Sequence, residues 1–204
     1  MLPIMLRVPH FQQRAQSASA RIAGLGTVFV LGCQKSGTTW LQMVLNAHPE
    51  VALNGEGHFT SVLVPAIAQA IEGHNAQAKV LFKLDNDDAL ACLRCIIDRT
   101  LSRYIESKPE PNRVRWVGDK TPEAAMAIQL LDGLYPGSRF IHVIRDGRDG
   151  VASGWAHLSR DNNTSRFATV ADYAEYFATR HWTPYITLAR RSGSQLGSRY
   201  MEVR

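Results

Sequence analysis

No apolar stretch in this chain approaches the ~18 residues that a membrane-spanning helix requires, so no spanning helix is expected. Cysteine is scarce. Cys33, Cys92 and Cys95 form an odd set, which excludes a fully paired disulfide framework and suits a reducing compartment, the cytoplasm. Cys92 and Cys95 stand three apart on one face of a predicted helix, and no second cysteine or histidine pair accompanies them, so no metal site is expected. Lysine-rich tracts and the aromatic-and-glycine ribonucleoprotein pattern are also missing. The net charge of +5 and pI near 9.3 therefore favour anionic ligands in general, with scattered arginines as a solvated face, and no nucleic-acid partner is expected. The apolar start Met1 to Leu6 is interrupted by Pro3 and lacks the hydrophobic region of a secretory signal. Without such a signal, the triplets Asn162-Asn163-Thr164 and Asn163-Thr164-Ser165 say little about glycosylation.

What is present fits one domain: 204 residues, 45% of them apolar. Residues 1–26, with Arg7, Arg14 and Arg21 among Ser, Gln and Ala, read as a flexible or loosely packed leader to a domain over 27–204. Val28 to Leu31 is short, apolar and β-branched, as a central parallel strand should be. A helix follows, expected to bury Trp40, Leu41, Val44 and Leu45 and to stop near His48-Pro49. Further strands are predicted at 51–53, 115–118 and 140–144, and helices at 60–78 and 87–107. Thr121-Pro122-Glu123 should open a helix with a capping hydroxyl, and a long helix over 170–191 should bend at Pro184. Tyr200 to Arg204 looks like the beginning of a strand, so the domain is expected to be incomplete at its C-terminus. Strands alternating with helices predict an α/β three-layer sandwich around a central parallel sheet.

The strongest local signal is Gly32-Cys33-Gln34-Lys35-Ser36-Gly37-Thr38-Thr39, between the first strand and its helix. A buried strand turning through glycines into a helix aims backbone N–H groups and the positive dipole end at one point, where an anion is stabilised. Lys35 precedes the second glycine, whereas the nucleoside-triphosphatase loop G-x-x-x-x-G-K-[ST] places lysine after it. In open α/β sheets, ligands bind beyond the carboxyl ends of the strands. Four groups of residues fall there: Lys35 with Ser36, Thr38 and Thr39; Glu56 with His58; Asp119 with Lys120 and Thr121; and Arg145 with Arg148 and Ser153. One acid and several cations on one rim suit transfer of an anionic group to a neutral acceptor.

Lys35-Ser36-Gly37-Thr38-Thr39-Trp40, together with Arg145-Asp146-Gly147-Arg148-Asp149-Gly150-Val151-Ala152-Ser153, resembles the two nucleotide-binding signatures of sulfotransferases that use 3′-phosphoadenosine 5′-phosphosulfate. The resemblance implies that Lys35, Ser36, Gly37, Thr38 and Thr39 cradle the 5′-phosphosulfate, and that Arg145 and Ser153 hold the 3′-phosphate. His48-Pro49-Glu50-Val51 with Gly55-Glu56 is similar to the tyrosylprotein, Golgi-type and bacterial branch, which implies Glu56 as general base; His58 and His142 remain further candidates. Gly118-Asp119-Lys120-Thr121-Pro122 resembles the segment whose lysine lies near the transferred group, so Lys120 joins Glu56 and Lys35 as a catalytic candidate.

The expected activity is thus in-line sulfuryl transfer to a hydroxyl or amine of a small-molecule, carbohydrate or peptide acceptor. It would release 3′-phosphoadenosine 5′-phosphate and need no metal. Two alternatives stay open: an inactive or truncated nucleotide-binding domain of the same type, and a phosphotransferase or nucleoside triphosphatase in which Asp119 would serve magnesium. Trp155, Tyr173, Tyr176, Trp182 and Tyr185 could shape an acceptor pocket or lie in the core.

Overall fold

The computed structural model describes residues 11–161 and 163–204. The first ten residues of the expected leader, and Asn162 of the glycosylation triplets, lie outside them. Within the described residues five strands form one parallel sheet in the order β2-β3-β1-β4-β5, with β1 Gly26–Gly32, β2 Val51–Gly55, β3 Trp116–Lys120, β4 Arg139–Val143 and β5 Tyr200–Val203. The central α/β sheet is as expected, and β5 pairs with β4.

Among the described residues, eight α-helices flank it: α1 Phe11–Ala23, α2 Thr38–Asn46, α3 Val64–Gln77, α4 Asn86–Glu106, α5 Ile128–Leu134, α6 Gly147–Arg160, α7 Val170–Phe177 and α8 Thr183–Gly193. The main core lies on one side of the sheet, where Phe29, Leu31 and Phe140 meet Ile97, Leu101 and Ile105 of α4 and Tyr185 and Ala189 of α8. A smaller cluster of Val28, Val30, Leu53 and Val143 packs under α2 on the other side.

Four local expectations are corrected. Residues 16–23 are not loose: Ala18 and Ile22, one helical turn apart on α1, are buried, and Ser19 donates to Asp98 of α4 at 2.8 Å. Of the four apolar residues expected to be buried on α2, Leu41 and Leu45 pack half-buried against the sheet, and Trp40 and Val44 are exposed because one step along a helix rotates a side chain by about 100°. Thr121 does not cap a helix. Its hydroxyl is spent on Asp119, and the chain enters a 3₁₀ turn, Pro122–Met126. The irregularity in the long C-terminal helix is a π turn at Ala178–Trp182, and Pro184 follows it directly in the first turn of α8.

His142 on β4 is fully buried and bonds Tyr200 at 2.6 Å; Tyr200 in turn donates to Glu202, which forms a bidentate pair with Arg190. Burial pushes the imidazole down to about 4, against a weaker upward pull from Glu202. The folded protein thus holds this ring neutral where the unfolded chain, at about 6.5, takes up a proton. Its contribution to stability is present above pH 6.5 and should drain away toward pH 4, by up to ~3 kcal/mol. Urea midpoints between pH 7 and 4.5 should show this slope in the native protein and a shallower one in His142→Asn.

Candidate active site

β1 and β4 pair with Gly32 opposite Val143, so the loops leaving their carboxyl ends start side by side. They meet at once: Arg145 Nη1 donates to the Lys35 carbonyl at 3.2 Å. The first loop turns through Lys35 at φ 67° and Gly37 at φ 96°. Glycine takes that conformation freely, whereas for lysine it costs of order 1 kcal/mol, a cost that recurs at functional sites. No atom lies within 4 Å of where a side chain on Gly37 would begin, and α2 starts beyond it with no side-chain cap. The first-turn N–H groups and the positive helix end therefore open onto free space, which is what an anion requires.

β2 and β3 bring the second half. Gly55 lies opposite Lys120 in the register, which sets Glu56 next to that lysine. The Glu56 carboxylate pairs through Oε1 with Lys120 Nζ, and its Oε2 lies 3.5 Å from His58 Nε2. The Lys120 side chain is only 4% exposed against 39% for Glu56, so the lysine is the fixed member of the pair. Beneath them Asp119 is buried. Its Oδ1 accepts from the Gly57 amide at 3.0 Å and the Tyr104 hydroxyl at 3.2 Å, and its Oδ2 from the Thr121 hydroxyl at 2.6 Å. Burial raises the Asp119 pKa, opposed by those hydrogen bonds and by the charge on Lys120.

These elements enclose a cleft of about 600 Å³, lined by Lys35, Gly37, Thr38, Thr39, Glu56, Arg145 and Ser153 among others. A second cleft of about 650 Å³ adjoins it, sharing Gly37 and Arg145 and lined further by Ser36, Trp40 and Trp182. Residues 27–204 match the model of the Sulfotransferase family. The chain belongs to that family. Its curated relatives include protein-tyrosine sulfotransferase 2 of Gallus gallus, 27% identical over 131 residues, and protein-tyrosine sulfotransferase 1 of Homo sapiens, 25% identical over the same length. Each match covers 62% of this chain and 33% of the relative, so the chain spans about a third of the length of the curated relatives it matches. A solved sulfotransferase from Alicyclobacillus acidocaldarius is 19% identical, with a TM-score of 0.49 over 87% of this chain and 72% of that one.

Within this sulfotransferase-family site, most of the residues expected from the sequence converge, and the exceptions have structural causes. Ser36 turns to the second cleft, and Lys120 stands behind Glu56. Arg148 points outward, its side chain 91% exposed and paired with Asp146, the cap of α6. His142 is buried in the sheet on Tyr200 and is removed from the list of bases, whereas His58 lines the cleft. Asp119, the carboxylate that a triphosphatase reading would assign to magnesium, has both oxygens engaged by protein donors. Tyr173 and Tyr185 are core residues. Cys33, inside the loop motif, is buried and its thiol is pushed up to about 12 by that burial, so it is not a nucleophile at neutral pH.

Gln34, Glu123 and His157 line the cleft without having been singled out. Gln34 Nε2 donates to Glu123 Oε1 at 2.9 Å, linking the loop after β1 to the 3₁₀ turn after β3. His157 could have been found from its spacing, because it lies four residues after Ser153 on α6 and so shares its face. Glu123 carried no such signal; it enters through the position of the 3₁₀ turn.

Proposed function

We propose that the protein transfers a sulfuryl group from 3′-phosphoadenosine 5′-phosphosulfate to a hydroxyl or amine and releases 3′-phosphoadenosine 5′-phosphate. The reading is carried by one observation: a single cleft collects an uncapped helix start, Lys35, Thr38, Thr39, Arg145 and Ser153 on one side and Glu56, backed by the buried Lys120, on the other. The uncapped amides, Lys35, Thr38 and Thr39 fit the 5′-phosphosulfate, with Ser36 beside them toward the adjoining cleft. Arg145 and Ser153 fit the 3′-phosphate, the arginine through a bidentate fork.

The donor supplies a sulfuryl group joined to a phosphate leaving group. Glu56 takes the proton from the acceptor oxygen or nitrogen as that atom bonds to sulfur and the sulfur–oxygen bond to the phosphate breaks. Lys120 carries three N–H donors, so it can hold Glu56 in place and still offer one to an oxygen where charge develops. Lys35 and the loop amides meet the charge left on the departing phosphate. A small molecule, a carbohydrate or a peptide is the acceptor, and the names of the relatives put peptide tyrosine first among those to test. Three free thiols suit the cytoplasm as the place of action.

Transfer of labelled sulfate from the donor to a panel of hydroxyl and amine acceptors tests the activity, and nucleotide binding without any transfer would overturn it. Calorimetry with 3′-phosphoadenosine 5′-phosphate against ATP and magnesium separates this reading from a phosphotransferase. Arg145→Ala should cost about tenfold or more in affinity for the bisphosphate and little for adenosine 5′-monophosphate. Equal losses for both would remove Arg145 from the 3′-phosphate site.

A further inference from the structure

Arg145 must hold its guanidinium at a fixed place if it is to tell a 3′-phosphate from a hydroxyl, and the guanidinium itself has one protein hydrogen bond at the site, to the Lys35 carbonyl at 3.2 Å. Arg145 lies in the three-residue connection between β4 and α6, and its side chain is 42% exposed. Asp149 is 3.7 Å away, a distance that gives little at a solvated surface. The Arg145 peptide is held from elsewhere: Trp182 Nε1 donates to its carbonyl at 2.9 Å. The Trp182 ring also lies against Gly147, two residues further on, close enough that a Cβ placed there would come within 3.2 Å of it.

Trp182 closes the π turn Ala178–Trp182. Its neighbour His181 anchors the turn among the rings of Tyr176, Phe177 and Tyr185, with centroids at 5.2, 6.1 and 6.0 Å. Consecutive residues on a helix diverge by about 100°, so with His181 locked into the aromatic core the adjacent indole is aimed away from it, at Arg145. The wide turn adds one residue to the helical register and thereby sets that direction; π turns are retained mostly where a site requires them.

We propose that Trp182 is a positioning residue for 3′-phosphate recognition, fixing Arg145 through the indole-to-carbonyl hydrogen bond that the π turn makes possible. The proposal rests on the donor reading given above. Trp182→Phe keeps an aromatic ring against Gly147 and removes only the N–H, so it separates the hydrogen bond from packing. Calorimetry on native and variant protein should show affinity for adenosine 3′,5′-bisphosphate falling about five- to tenfold, the worth of one hydrogen bond, with affinity for adenosine 5′-monophosphate nearly unchanged. Equal losses for the two nucleotides would mean that the ring serves the base or the fold, and overturn the proposal. An unchanged bisphosphate affinity in the variant would overturn it too. Native protein indifferent to the 3′-phosphate would instead overturn the donor reading, and the proposal with it. A measurement on the native protein does not depend on the variant folding: in ¹⁵N spectra the Trp182 indole signal should move with the bisphosphate and stay in place with the monophosphate. An indole signal that responds alike to both would count against it.

Discussion

Glu56→Gln should lower turnover by ~10²–10⁴-fold, the usual worth of general-base assistance, while nucleotide affinity stays nearly unchanged. The substitution is selective because of Lys120. A glutamine oxygen can still accept from the Lys120 ammonium that now pairs with Glu56 Oε1, so the geometry survives and only proton acceptance is lost. Glu56→Ala is a different experiment: it leaves the buried ammonium without its partner and should cost stability as well, about 1–2 kcal/mol given that the carboxylate itself is 39% exposed. Single-turnover rates, calorimetry with 3′-phosphoadenosine 5′-phosphate and thermal midpoints separate these effects. His58, 3.5 Å from the same carboxylate, provides the internal control. If Glu56→Gln kept full turnover and His58→Ala abolished it, the base would be the histidine; if Glu56→Gln abolished nucleotide binding, the carboxylate would belong to the donor site.

The loop after β1 was legible in the sequence because its meaning is local: a strand, two glycines and a helix start lie within a dozen residues, and Lys35, Thr38 and Thr39 stand where that motif puts them. Arg145 and Ser153 were legible for a related reason, since both lie on one strand-to-helix passage and eight residues bring them near one face of α6. The Glu56–Lys120 pair was half legible. Each residue follows or ends a strand, but their contact comes from the β2–β3 register, and spacing along the chain does not report register. Trp40 and Val44 were misplaced because a mostly apolar helix has no visible seam; only the sheet beneath α2 decides which of its apolar side chains, here the half-buried Leu41 and Leu45, pack against it. Glu123 was out of reach altogether, and Trp182, a candidate for an acceptor pocket, gave no sign of its bond to the Arg145 carbonyl. Their positions follow from a π turn and a 3₁₀ turn, which have no sequence period to detect.

Asp119 links stability to the site, and its replacement by alanine should be the most damaging change at a residue that touches no substrate. The carboxylate satisfies the Gly57 amide next to Glu56, the Tyr104 hydroxyl on α4 and the Thr121 hydroxyl, which itself accepts from the His58 amide at 3.3 Å. Asp119→Ala strands these donors in a buried place at about 1–3 kcal/mol each, so a loss of about 3–5 kcal/mol is expected, with turnover falling because the Glu56 loop loses its anchor. Asp119→Asn should be mild. The amide oxygen can replace Oδ1 for Gly57 and Tyr104, and the Thr121 hydroxyl can rotate to accept from the amide nitrogen. Burial favours the neutral form in addition: with its pKa raised above 3.8, the buried carboxylate becomes a growing liability as pH rises, one that asparagine does not carry. Urea denaturation at pH 7 should therefore place Asp119→Asn within about 1 kcal/mol of the native protein and Asp119→Ala far below it. Equal destabilisation by the two would show that the negative charge, with the Lys120 charge nearby, matters more than the hydrogen bonds; no destabilisation by alanine would show that the Glu56 loop is held by other contacts.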